Sequence, residues 1–487
     1  MIRRVVAAVA LLVAVPALWS VEGQTVAASV SSATQPDTGV RDASGDTGNP
    51  QTEQTLAVDP TNPNNALISY INLGLSVTHD GGLTWKFTPL GAAACFGDNN
   101  PVFDQAGTAY YQCDNQGVAV SQDHGDTWGP PVVAYTIQDN NGDLADRPWM
   151  VRGPRAGTLY LGYESFFTTP APGYVFMKKS TDGGANWPEP ATRVDDPATA
   201  VAAMNPRQFP AVGGDGTLYF SYATGSGSTS FVVARSHDGG ATFARVVAAP
   251  NITRTTAPTE EGEAISSLAA DPDPARAGHV VLAWADMRSG ESRILTVSSV
   301  DGGATWSRPV DIADDPTGKG NNHDHPQAAF APDGRVIVVW RDRRCCGGAY
   351  SSNHQLFARA LSVTPSGVTA SSNTVEVTDS AQPPNQVENI DEYLGLVVGA
   401  EGVSVAWNQP RNGIASSYFR RMPLSAFPAS ATTRPVVGVG PGAGGGGAPA
   451  GPTPNTANAP QGLSSAALAA AVCAMLAVGI RRRRVQS

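Results

Sequence analysis

Short apolar runs of five to seven residues, rich in Val, Ile, Leu, Tyr and Trp, recur along the chain: ALISYIN (66–72), TAYYQC (108–113), TLYLGY (158–163), TLYFSY (217–222), HVVLAW (279–284), RVIVVW (335–340) and VSVAW (403–407). Runs this short, bounded by turn residues, read as strands, because a buried helix needs about ten residues or more. Most follow an extended segment that ends in its own turn, such as TLAVDPTNPNN, RPWMVRGPRAG, RQFPAVGGDG, PQAAFAPDG or YLGLVVGAEG. The pattern predicts seven hairpins, each with the extended segment as an innermost strand and the apolar run as the second.

A different repeat follows five of these hairpins: THDGGLTW (78–85), SQDHGDTW (121–128), STDGGANW (180–187), SHDGGATF (236–243) and SVDGGATW (299–306). All fit S/T-x-D-x-G-x-T-W apart from Asn186 and Phe243, and successive starts lie 43, 59, 56 and 63 residues apart. That spacing suits one four-stranded propeller blade with variable loops. At these positions the sequence resembles the Asp-box, or bacterial neuraminidase repeat, of sialidases and many other secreted propellers. The resemblance implies that each box lies between the third and fourth strands of a blade, away from any active site. Asp80, Asp123, Asp182, Asp238 and Asp301 then accept backbone N–H groups in tight turns, glycine takes positive φ, and the aromatic packs between sheets. Asp301 is expected to be a buried acceptor.

Seven hairpins against five boxes predict an all-β, seven-bladed β-propeller, with six blades as the alternative, in which the last two blades have lost the box. Only one further strand (416–422) follows 403–407, so a strand from residues 24–40 is expected to complete the seventh blade and close the ring.

Composition then adds address and partner. The formal charge is −10, and without the six arginines at the two ends the body stands at −16, which excludes the basic face that nucleic acid needs. Residues 1–24 have the layout of a secretory signal peptide, with Arg3 and Arg4 before an apolar stretch. Residues 25–428 form the propeller, and 429–462 are a Gly/Pro-rich linker. Residues 463–480 form an apolar run long enough to span a bilayer, and 481–487 a basic cytoplasmic tail. The expectation is an exported protein held at the cell surface by one C-terminal helix. Cys95, Cys113, Cys345 and Cys346 are disulfide candidates with three possible pairings, one of which makes Cys345–Cys346 a vicinal bridge.

Candidate chemistry lies where the segments lead into the innermost strands, because all seven entries share one face around the axis. Arg147, Arg207, Arg341, Arg343, His323, His325 and Asp391 are the candidate ligand-binding residues. Carboxylates with several arginines suit an anionic sugar, since Arg offers a carboxylate two parallel hydrogen bonds. A sialidase would hold the substrate carboxylate with three arginines and use a Tyr activated by a Glu, with an Asp as acid or base. Tyr393, Glu261 and Asp146 are the catalytic candidates on that resemblance. The phrases EQTLAVDPTNPNN, DRPWMV, HDHPQAAFAPDGRVIVVWRDRR and IDEYLGL look closer to a group of secreted Asp-box proteins termed sialidase-like on fold alone, a likeness covering residues 51–422. Asp139, Asn141 and Asp143 begin like a calcium loop, but Leu144 and Met150 stand where its Gly and Glu belong. No metal or cofactor is expected. The reading is a propeller that binds carbohydrate or another surface polymer. An exo-sialidase or related glycoside hydrolase is the alternative, and a protein-interaction scaffold the second.

Overall fold

The computed structural model describes residues 36–428, apart from 46–49, 72–73, 91–96, 114–116, 137–143, 167–173, 189, 197–208, 225–228, 255–265, 372, 383–392 and 412–413. The expected signal peptide, linker and membrane span therefore lie outside the described residues, as do Cys95 and the calcium-like segment 139–143. Among the described residues no helix is long and apolar enough to cross a membrane.

Seven antiparallel sheets follow one another along the chain, and in the first six the strands run in chain order from inside to outside. Blade 1 is Thr55–Val58, Ala66–Tyr70, Gly74–Thr78 and Lys86–Pro89. The innermost strands of blades 2 to 7 are Asn99–Phe103, Leu144–Arg152, Phe209–Val212, Ser266–Ala270, His323–Phe330 and Gly395–Gly399. Each apolar run of the sequence is a second strand and is buried on both faces, as in Val280–Asp286 and Arg335–Asp342. Blade 6 carries an extra strand, because Gly367–Ala370 and Val375–Glu376 both pair with Gln355–Thr364.

The ring is closed by Arg41–Asp42, which pairs with Ile414–Met422 through Arg41↔Phe419 and Asp42↔Tyr418. The closing strand thus lies just after the 24–40 window expected from sequence. Two exposed polar residues carry no hydrophobic signal, and neighbouring polar groups fix the join instead. Gln51 donates to the Ser44 carbonyl at 2.6 Å and accepts from the Ser417 N–H at 3.0 Å, while Tyr70 donates to the Ala43 carbonyl at 3.0 Å.

The apolar core is divided among the seams between blades. Ala57, Leu67, Val77, Phe103 and Tyr111 join blades 1 and 2, for example, and Val281, Val336, Val338 and Trp340 join blades 5 and 6. Each box aromatic enters the seam with the preceding blade: Trp85 packs edge-on to Phe419 at 5.1 Å between blades 1 and 7, and Trp128 to Tyr111 at 5.7 Å. The box turns are alike. Asp80 accepts from the Leu83 and Thr84 N–H groups at 2.9 and 3.0 Å and from the Thr84 hydroxyl at 2.6 Å. Asp301 does the same with Thr305 at 2.9 and 2.6 Å. Its side chain is exposed, so the expectation of a buried acceptor is corrected: the Asp seals backbone groups at the surface, while the box's leading Ser299 is buried and its aromatic Trp306 is half-buried in the seam.

Candidate functional site

Three blades enter their innermost strands through the same backbone device. Glu53, Arg147 and His325 each stand two residues before a strand position facing the axis and have left-handed φ values of 53°, 47° and 51°. In blades 3 and 6 the strand register breaks there, between Asp146 and Trp149 and between Asp324 and Gln327. Such a bulge re-aims a side chain, and a non-glycine residue keeps this conformation only where its surroundings compel it. Behind each bulge a cross-strand pair sits in the same register, Asp146↔Glu164 in blade 3 and Asp324↔Arg341 in blade 6.

In blade 3, Arg147 Nη1 donates to Glu164 Oε1 at 3.3 Å. In blade 6 a single carboxylate holds two arginines: Asp324 Oδ1 accepts from Arg341 Nε and Oδ2 from Arg343 Nη1, each at 2.5 Å. His325 Nδ1 lies 3.1 Å from the same Oδ1 and also contacts Arg341. Asp324, Arg341 and Arg343 are each about 1% exposed. Burial pushes the Asp324 carboxyl up, but the charges of Arg341 and Arg343 outweigh it and hold it well below the usual carboxylate range. His354, buried beside them, is driven well below its ordinary value by burial and then by the two arginines.

Across the axis, Trp149 of blade 3 packs edge-on against Phe209 of blade 4 at 5.2 Å and against Tyr393 of blade 7 at 5.4 Å. The Tyr393 hydroxyl donates to Asp98 Oδ2 at 3.1 Å, at the start of blade 2. Blades 3 and 7 are not neighbours, so these rings narrow the axial channel. Below them a cavity of about 600 Å³ is lined by all seven innermost strands.

His323 belongs to a separate network. Its Nε2 lies 3.1 Å from Asp315 and its Nδ1 3.1 Å from Asp342, while Arg293 and Arg344 donate to those two carboxylates at 2.8 and 2.6 Å. Burial opposes the imidazolium, but the two carboxylates prevail and raise its pKa. Asp315, His323 and Asp342 bring three potential ligand atoms within 4.8 Å of one another. With guanidinium groups already on both carboxylates, the set is built as an ion-pair network that fixes the loop into blade 6.

Of the residues named from sequence, Arg341, Arg343 and His325 are brought together in blade 6. Arg147 and Tyr393 stand at the axis with Trp149, and His323 faces away into its own network. Asp146 is described only in its backbone pairing with Glu164, and Glu261, Arg207 and Asp391 lie outside the described residues. Cys345 and Cys346 form the vicinal disulfide; Cys113 is also disulfide-bonded, and Cys95 is not described. Sequence reasoning missed His354 and the Trp149–Phe209 pair, which carry no motif. It also missed a legible twin, WADMR (284–288) and WRDRR (340–344). In both, the Trp indole N–H and the Arg two residues beyond the Asp donate to the same carboxylate, Asp286 or Asp342. Asp286, Arg288, Asp342 and Arg344 therefore pin the ends of second strands.

Seven blades, five Asp-boxes and a polar entry face define an Asp-box β-propeller. Residues 114–345, just under half of the chain, match the family of the BNR repeat-like domain, and the described residues form a seven-bladed propeller. No curated protein gives a significant sequence match. Among solved structures the chain is similar to a protein of unknown function from Dyadobacter fermentans, at 15% identity over 78% of this chain and 98% of that one, with a TM-score of 0.42. It is similar to an intramolecular trans-sialidase from Ruminococcus gnavus in complex with oseltamivir carboxylate, at 13% identity over 68% and 96%, with a TM-score of 0.43. It is similar also to an alpha-L-arabinanase from Penicillium chrysogenum complexed with arabinobiose, at 18% identity over 57% and 93%, with a TM-score of 0.36.

Proposed function

We propose that this propeller binds an acidic carbohydrate, or a surface polymer of like charge, on the face where its innermost strands begin. One observation carries the reading: Arg341 and Arg343 share a single buried carboxylate, Asp324, beside the axis. A buried guanidinium offers a carboxylate or sulfate charge-assisted hydrogen bonds that water screens far less than at an exposed arginine. The disulfides support an oxidising compartment, and the terminal segments of the sequence support export and tethering to a membrane. Calorimetry of the purified 24–428 fragment with glucuronate-bearing and neutral oligosaccharides tests the reading. Binding of the acidic sugar should weaken at least tenfold in Arg343→Gln, which leaves Asp324 paired with Arg341. Equal binding of both sugars, or no change in the variant, would reject it.

The hydrolase is the second reading, favoured by the hydrogen bond between Tyr393 and Asp98, which supplies a phenol and a carboxylate at the axis.

A further inference from the structure

The segment 343–353 joins the second strand of blade 6, Arg335–Asp342, to its third, Gln355–Thr364, and folds back over the arginine pair. The Arg343 carbonyl accepts from the N–H groups of Cys346 and Gly348 at 3.0 and 3.2 Å, closing a tight turn around the disulfide. Gly347 and Gly348 take φ values of 91° and 81°, and a Cβ on Gly348 would meet the Gly320 carbonyl oxygen at 2.2 Å. The turn therefore needs glycine. The Gly348 carbonyl anchors it on blade 5's outgoing loop by accepting from the Asn322 backbone at 3.1 Å and side chain at 2.8 Å. Tyr350 completes the cover, with the Arg343 guanidinium 5.1 Å from its ring centre.

Beneath this cover two polar atoms lack what buried polar atoms ordinarily have. Arg343 Nε and His354 Nδ1 have no hydrogen-bond partner among the described residues, although Arg343 and His354 are 1% and 3% exposed. A donor and a ring nitrogen left unsatisfied in the same ionic cluster call for a guest. His354 is held neutral by burial and by Arg341 and Arg343, so its ring N–H can donate to the ligand's acidic group without adding charge. In the same turn Cys345 is exposed, and Arg343 and Arg344 precede the disulfide in sequence.

We propose that Arg343 and His354 form a covered subsite for the acidic group of the ligand, and that the Cys345–Cys346 disulfide is the clasp that keeps it covered. The subsite rests on the acidic-ligand reading; the clasp does not. Opening is a two-electron step in which a dithiol is the reductant. Its thiolate attacks Cys345 Sγ and the Cys346 sulfur leaves as thiolate, favoured by the nearby arginines. The reductant's second thiol then releases Cys345 and departs as its own disulfide, and each cysteine takes a proton.

Phenylglyoxal labelling of arginines, read by peptide mass spectrometry, tests the clasp without any ligand. In the double variant Cys345→Ser, Cys346→Ser, which spares the Cys113 disulfide, Arg343 should label at least tenfold faster than in the parent, with Arg147 unchanged. Tyr350→Ala should also speed labelling with the disulfide intact. Unchanged Arg343 labelling in either variant overturns the clasp. Free glucuronate should bind the double variant at least threefold tighter. Faster labelling with unaltered glucuronate affinity overturns the subsite, whereas faster labelling with no glucuronate binding to any form overturns the acidic-ligand reading and leaves the clasp standing.

Discussion

A buried imidazole keeps its proton only where carboxylates outweigh the loss of water, and His323 between Asp315 and Asp342 meets that condition. Its folded pKa is raised, so its stabilising contribution is complete below the ordinary value of about 6.5 and is lost as pH rises through the folded value. Urea unfolding should therefore show His323→Gln losing more stability at pH 5.5 than at pH 9, and an equal loss at both would show the ring to be neutral throughout. Asp301 supplies a second prediction. It accepts an N–H and a hydroxyl in an exposed turn, much as a helix cap does, so Asp301→Ala should cost about 1 kcal/mol by the scale of such caps. Acidic-sugar affinity should not change, and a loss of affinity with unaltered stability would place the box in the binding machinery. Other features of single residues were illegible in the sequence. Glu and Arg seldom adopt left-handed φ and the three residues share no motif, so nothing marked Glu53, Arg147 and His325 as one device. The Tyr393–Asp98 bond joins residues 295 apart, a pairing only the closed ring creates.

Elements were far more readable than contacts, because a second strand buried on both faces must be continuously apolar. RVIVVW and HVVLAW announce themselves on that ground, and counting such runs led to seven blades where counting boxes would have led to five. The closing strand had no such signal: Arg41–Asp42 is two exposed residues, held by backbone pairing and by side chains such as Gln51. Its importance follows from what it covers. Without it, the nine-residue strand Ile414–Met422 becomes a free edge, buried along much of its length and able to recruit another chain. Deleting residues up to Ser44 should lower the melting temperature and cause concentration-dependent association in light scattering. A monomer with parental melting temperature would mean that the seam cores alone hold the ring closed. The WxDxR twin is legible as a repeat in the sequence, but its role, Trp and Arg converging on one Asp, shows only in the hydrogen bonds.

At the scale of the whole molecule, packing lies in seven seams around an axis that the Trp149, Phe209 and Tyr393 rings narrow, so function depends on what the entry loops bring to the axial mouth. Binding needs only complementary charge there; turnover of a sialoside also needs a nucleophile that reaches the anomeric carbon and can ionise. Tyr393 is 3% exposed, its ring packs against Trp149, and its hydroxyl is engaged by Asp98. The paired arginines of blade 6 are committed to Asp324, a different carboxylate from the one on Tyr393. Charge and nucleophile are thus separately engaged, which suits retention of an acidic glycan more than its cleavage. The purified fragment 24–428 should bind glucuronate-bearing oligosaccharides and release no fluorophore from a fluorogenic sialoside above the rate of buffer alone. Tyr393→Phe removes only the hydroxyl and keeps the ring against Trp149, so it should leave that binding within about twofold of the parent. If fluorophore is released, and Tyr393→Phe abolishes the release while binding survives, then Tyr393 reaches the substrate and the protein is a hydrolase whose phenol is activated by Asp98.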